Sequence, residues 1–102
     1  MTDPDDLSQT EVDEINRLRE TAQVGMDAEA FKHTPLGRWM IDKAREERQG
    51  IVEALILADP TDTKTITDLQ GKAVLLGLFE EWLNQAIADG IEALQYFKQY
   101  ED

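Results

Sequence analysis

The feature that most constrains the fold is a heptad pattern of apolar residues between residues 66 and 97. One row at seven-residue spacing is formed by Ile66, Ala73, Ile87 and Leu94, with Glu80 in its middle position. The other row is formed by Leu69, Leu76, Leu83 and Phe97, with Gly90 in its fourth position. Proline does not interrupt the pattern. About four to five heptads predict one long helix that packs along a helical partner.

The preceding residues predict that partner, a second helix over residues 35–58. Thr34-Pro35 is a start signal, with threonine as the N-cap and proline at the first helical position. Asp59-Pro60 ends the helix because the residue before proline disfavours helical geometry. The turn that follows is short, and we expect the long helix over residues 62–99. Two helices joined by so short a turn pack antiparallel.

A first helix is expected over residues 11–23, with Thr10 as its N-cap and Gly25 as the residue that ends or interrupts it. Residues 1–9 are rich in aspartate and predict a flexible acidic arm. Residues 10–102 are then one helical domain. The predicted fold class is all-α, an antiparallel helical hairpin with an additional N-terminal helix.

The charge of the chain bears on its partners. The 102 residues include 22 acidic and 10 basic ones, which gives a formal net charge of −12. This balance opposes direct binding to nucleic acid phosphates and to an anionic membrane surface. Cysteine is absent, so thiolate metal sites and disulfides are excluded. The N-terminal residues lack the basic segment and the following apolar segment of a signal peptide, and we expect a cytoplasmic protein.

The middle of the long helix carries the first candidate interface. Residues 73–79 are apolar on every side of a helix, and Val74, Leu78 and Trp82 form a second stripe beside the main seam. A helix that is apolar all round is buried on more than one side. Either the first helix covers this stripe or the chain self-associates through it. Gly71 and Gly77 are expected to permit close helix approach there.

Two further sets of residues are candidates for function. Tyr96 and Tyr100 place aromatic side chains on the end of the long helix, as a contact patch or as a terminal segment covered by a neighbour. Glu80 lies in the apolar seam, where burial would raise its pKa or require a cation such as Arg45 or Arg48. We interpret these three charged residues as a polar layer that sets helix register.

Motifs for catalysis or for a cofactor are not found. Glu29 and His33 share a helix face, but a stable zinc site needs three or four ligands. The sequence has no glycine-rich phosphate loop and no nucleophile or zinc-protease motif. We therefore expect a protein that is not an enzyme and binds no cofactor or metal.

One family resemblance can be stated. It rests on Leu36-Gly37-Arg38, Ala44, Glu47, Leu55, Asp59-Pro60, Ile66, Leu69-Gln70, Trp82-Leu83 and Gly90. In these positions, residues 31–97 resemble a small acidic helical-hairpin protein of tailed bacteriophages and prophages. The resemblance implies a phage origin, with the host bacterial cytoplasm or the virion as the location.

Three functions follow as hypotheses. The first is a non-enzymatic phage accessory protein that acts through helix-mediated protein–protein contacts, with another protein or as a homo-oligomer, in the virion or its assembly and packaging. The second is an acidic DNA mimic that inhibits a host nucleic-acid-binding or defence protein. The third is an enzyme, which the missing catalytic motifs disfavour. A generic bacterial regulatory or adaptor protein is the remaining interpretation.

Overall fold

A computed structural model of the chain describes residues 8–101, with the side chains of residues 100 and 101 left out. Three α-helices account for nearly all of these residues: α1 (Gln9–Lys32), α2 (Pro35–Leu57) and α3 (Thr63–Glu101). The described residues contain no strand. The prediction of an all-α hairpin with an additional N-terminal helix is confirmed. The predicted acidic arm lies mostly outside the described residues.

The internal contacts group the chain into two compact units. Unit 1 combines residues up to Glu29 with residues from Asn84 onward, and unit 2 is Ala30–Leu83. Unit 1 therefore pairs α1 with the C-terminal part of α3, and unit 2 pairs α2 with its N-terminal part. The single helical domain expected for residues 10–102 remains a prediction.

The boundaries of α1 differ from the prediction at both ends. Ser8, and not Thr10, caps the helix: its hydroxyl oxygen accepts the N–H of Glu11 at 3.1 Å and donates to the Glu11 carboxylate at 3.2 Å. Gly25 does not end the helix, which continues to Lys32. Gly25 is buried in unit 1, so contact with α3 outweighs the low helix propensity of glycine.

The turn between α1 and α2 is built by Thr34, as predicted. Its hydroxyl accepts the N–H of Gly37 at 2.9 Å and donates to the carbonyl of Phe31 at 2.7 Å. The guanidinium of Arg38 donates to the carbonyl of His33 at 2.9 Å. The N-cap of α2 and the last carbonyls of α1 are thus satisfied by the same few residues.

The turn between α2 and α3 is closed by two aspartates. Asp59 accepts the N–H and the hydroxyl of Thr61, and Asp62 caps α3 by accepting the N–H of Thr65 at 3.2 Å and its hydroxyl at 2.7 Å. Side-chain and backbone hydrogen bonds from Thr65 lower the pKa of Asp62, and those from Thr61 lower the pKa of Asp59. Asp62 is therefore the N-cap of α3.

The buried residues follow the heptad seam for most of α3. Ala73 and Gly90 are buried, and Ile66, Leu69, Leu76, Leu83, Ile87 and Phe97 are half-buried. At the C-terminal end Leu94 is exposed and Ala93 is buried in its place. An α-helix of 3.6 residues per turn drifts by about 20° per heptad against a strict seven-residue repeat, so the buried row moves by one residue over several heptads.

Most fully buried side chains are small. The buried apolar residues of the described chain are Ala22, Ala28, Ile41, Ala73 and Ala93. Ile41 of α2 is the one large side chain among them, and Leu36, near the start of α2, is exposed. Several large apolar side chains are therefore exposed, and they are the candidate contact residues.

Candidate protein-interaction surfaces

The second stripe of α3 is largely exposed. Val74 is 63% exposed and Trp82 is 64% exposed, while Leu78 between them is half-buried. Leu75, which the stripe had omitted, is 67% exposed and lies beside it. Cover by the first helix and self-association through this stripe both remain predictions. A contiguous apolar patch of this kind on a helix is typical of a contact surface.

The glycines expected to permit close helix approach do not do so. A Cβ atom added at Gly71 would have no heavy atom within 4 Å, and one added at Gly77 would lie 3.6 Å from Nε of Arg48. Gly71 therefore faces open space on the exposed side of α3. At Gly77 an added Cβ would be in ordinary van der Waals contact with the side chain of Arg48.

The close approach occurs instead in unit 1. A Cβ at Gly25 would lie 2.8 Å from the carbonyl oxygen of Ala86 and 2.8 Å from Cα of Gly90. A Cβ at Gly90 would lie 2.8 Å from Cα of Gly25. Each glycine is thus required by the other, because backbone atoms occupy the space that a side chain would need. The heptad position of Gly90 was the available signal for this contact.

The charged residues predicted as a polar layer are placed in unit 2. Nε of Arg45 donates to Oε1 of Glu80 at 2.9 Å, and Nη2 of Arg45 donates to Oε2. This is the two-pronged arginine–carboxylate geometry that fixes orientation best. Arg48 lies over Gly77. The structure therefore brings Arg45 and Glu80 together, one helical turn from the contact between Arg48 and α3.

The ion pair sets the protonation of Glu80. The hydrogen bonds from Arg45 lower the pKa of Glu80, burial opposes this, and the charges of Arg45 and Lys32 add to the lowering. In turn, the hydrogen bond to Glu80 raises the pKa of Arg45. Both groups are ionised at neutral pH, which suits a fixed inter-helix contact and not a proton-transfer residue.

An aromatic contact links the last turn of α1 to α3 within unit 2. The rings of Phe31 and Phe79 have centroids 6.2 Å apart and an interplanar angle of 85°, an edge-to-face arrangement. Phe31 belongs to the last turn of α1, next to the Thr34 cap. Neither phenylalanine was among the predicted site residues, because nothing in the spacing of the sequence pairs positions so far apart.

Unit 1 contains a groove between α1 and α3. Its volume is about 390 Å³, and it is lined by Glu11, Glu14, Ile15, Leu18, Arg19, Tyr96 and Phe97. Tyr96, a predicted contact residue, is 36% exposed and forms part of this lining. The side chain of Tyr100 lies outside those described, so its predicted role remains a prediction. A second, shallower site on α3 is lined by Ile91, Leu94, Gln95, Phe97 and Lys98.

Within residues 8–101 no helix is long and apolar enough to cross a membrane. Over the same residues no group of three or more histidine, cysteine, aspartate or glutamate side chains is placed to hold a metal ion.

Comparison of the sequence with protein-family models and curated proteins, and of the fold with solved structures, gives no match.

Proposed function

We propose that this chain is a non-enzymatic binding protein that acts through helix-mediated protein–protein contacts. The observation that carries the proposal is the exposure of Val74, Leu75 and Trp82 along α3, each more than 60%. Exposed aromatic and aliphatic side chains grouped on one rigid helix are the usual anchors of protein interfaces. A setting in a tailed bacteriophage, in the virion or its assembly and packaging, is part of the proposal and rests on the family resemblance.

Rigidity of the presenting helix supports this proposal. In unit 2, the Arg45–Glu80 ion pair ties α2 to α3 on the side of α3 away from Leu75 and Trp82. Ala73, the residue that precedes Val74, is buried. The anchors therefore project from a helix that is already held, and binding would cost little ordering of the backbone.

A photo-cross-linking amino acid at position 75 tests the proposal. We expect covalent adducts with a protein when the chain carries this residue in its native cells. A chain with the same residue at Glu46, an exposed position on α2, is the matched control and should give none. If position 75 yields no more adduct than position 46, the proposal is wrong.

A second candidate function, an acidic DNA mimic that inhibits a nucleic-acid-binding or defence protein, is favoured by how charge is distributed. Residues 30–83, which form unit 2, contain nine acidic and seven basic residues. The rest of the chain contains thirteen acidic and three basic residues. Such a surface would attract a basic groove, and its binding would weaken steeply with salt. Binding that is lost in high salt but unaffected by Trp82→Gln would favour this candidate.

A further inference from the structure

A regular stripe runs along the exposed side of α3 in unit 2. We call it the outer stripe and define it as Gly71, Leu75, Leu78 and Trp82. The steps of four, three and four residues place all four on one face of a helix. Leu75 and Trp82 are exposed, Leu78 is half-buried, and Gly71 faces open space.

We infer that the occupant of the outer stripe is a second copy of this chain, bound antiparallel about a two-fold axis. This rests on the proposed function and names its partner. In an antiparallel symmetric pair, residues equally distant from the axis meet across the interface. An axis between residues 76 and 77 places Leu75 against Leu78 of the second copy. It also places Trp82 against Gly71 of the second copy, twice by symmetry.

The fit of large to small residues supports this register. Trp82 is the bulkiest residue of the stripe, and Gly71 is the one without a side chain. Because nothing lies within 4 Å of a Cβ added at Gly71, that position offers a recess for an indole ring. A parallel pair would oppose Trp82 to Trp82 and Gly71 to Gly71, leaving a clash at one end and a gap at the other.

Charge also favours a second copy at this face. Unit 2 is nearly neutral, with nine acidic and seven basic residues, although the whole chain carries −12. Two copies that meet at unit 2 therefore bring nearly neutral segments together. A basic partner would be drawn to the acidic residues outside unit 2. Since the remaining repulsion is screened by salt, we expect association to strengthen as salt is added.

The expected dimer is weak. Residues 71–82 span about 17 Å of helix at roughly 1.5 Å per residue, which places the contact near the small end of specific interfaces. Absolute mass by light scattering should therefore be measured over a wide concentration range, in high salt. We expect the mass to rise from 11.6 kDa to twice that value.

Gly71→Glu is the decisive variant, with Gly50→Glu as its control. A Cβ at either position has no heavy atom within 4 Å, so neither change disturbs the fold of one chain. Gly71→Glu fills the recess and places a charged carboxylate against Trp82 of the second copy, and it should leave only monomers. Gly50→Glu, which adds the same charge on α2, should dimerise as the unchanged protein does.

A second matched pair tests the other side of the contact. Trp82→Gln should abolish the dimer, whereas Trp39→Gln should preserve it, although Trp39 is as exposed at 62%. A monomer at all concentrations, or a dimer that survives both Gly71→Glu and Trp82→Gln, would overturn the inference. Cross-linking from position 75 to a different protein would overturn it as well, but would leave the proposed function standing.

Discussion

Gly25 of α1 and Gly90 of α3 lie backbone against backbone, so that a Cβ built on either one would come within 2.8 Å of Cα of the other. Real Cβ atoms do not come this close to other heavy atoms, and the atoms in the way belong to the backbone, so no flexible side chain can move aside. The two helices are in backbone contact here in unit 1, and a side chain at either glycine would not fit. This relationship leads to the first two predictions.

Gly25→Ala should lower the free energy of unfolding. Alanine gains about 1 kcal/mol of helix propensity over glycine, but overpacking against the carbonyl of Ala86 and Cα of Gly90 costs about 1–3 kcal/mol. We expect a net loss, measured by urea denaturation followed by circular dichroism. Gly50→Ala, where the added Cβ meets nothing, should instead stabilise the protein. Stabilisation by both variants would contradict the close approach.

Gly25→Ala and Gly90→Ala should be non-additive. The first methyl group to be added forces the helices apart, and the second then enters space that is already open. The double variant should therefore lose less stability than the two single variants combined. A double-mutant cycle in urea measures this coupling, and strictly additive losses would show that the two residues do not share one contact.

Gly37→Ala should be the most damaging alanine substitution in the α1–α2 turn. A Cβ at Gly37 would lie 1.7 Å from the carbonyl oxygen of Phe31, so the turn must open and the hydrogen bonds of Thr34 must break. We expect a loss above about 3 kcal/mol, in the range of severe core disruptions. Thr34→Ala removes the cap alone and should cost about 1 kcal/mol. Similar losses in the two variants would argue against the clash.

The Arg45–Glu80 pair should make stability depend on acid pH. Because the pKa of Glu80 is lower in the folded protein than in the unfolded chain, its contribution is complete above the usual glutamate pKa of about 4.3. That contribution is lost as the pH falls through the lower folded value. Glu80→Gln should therefore be less stable than the unchanged protein at neutral pH, and the difference should vanish in acid.

The control for this pH dependence is Glu53→Gln. Glu53 is exposed on α2, and its carboxylate accepts a hydrogen bond from the side-chain amide of Gln49 at 3.4 Å. Its substitution should leave the acid limb of the stability curve unchanged. A difference between Glu80→Gln and the unchanged protein that persists at low pH would mean that shape, and not ionisation, causes the effect.

Local signals in the sequence were sufficient for much of the fold. Thr34-Pro35 and Asp59-Pro60 predicted the start and the end of α2 to within one residue, because both act through neighbouring backbone geometry. Glu80 was recognised as a charge in an apolar row, and Arg45 was named as a cation that could reach it. The predicted end of α1 was wrong. Glycine is typical of helix ends, and the sequence does not reveal that Gly25 lies inside the helix against Gly90.

The sequence by itself determined the three helices, the antiparallel hairpin and the presence of a second apolar stripe on α3. These depend on periodicity, caps and turn length, which are properties of neighbouring residues. Only the tertiary structure decided that Gly25 and Gly90 are the close contact, that Gly71 faces open space and that Val74 and Trp82 stay exposed. Those outcomes depend on which surfaces of distant segments meet, and a one-dimensional pattern does not specify that.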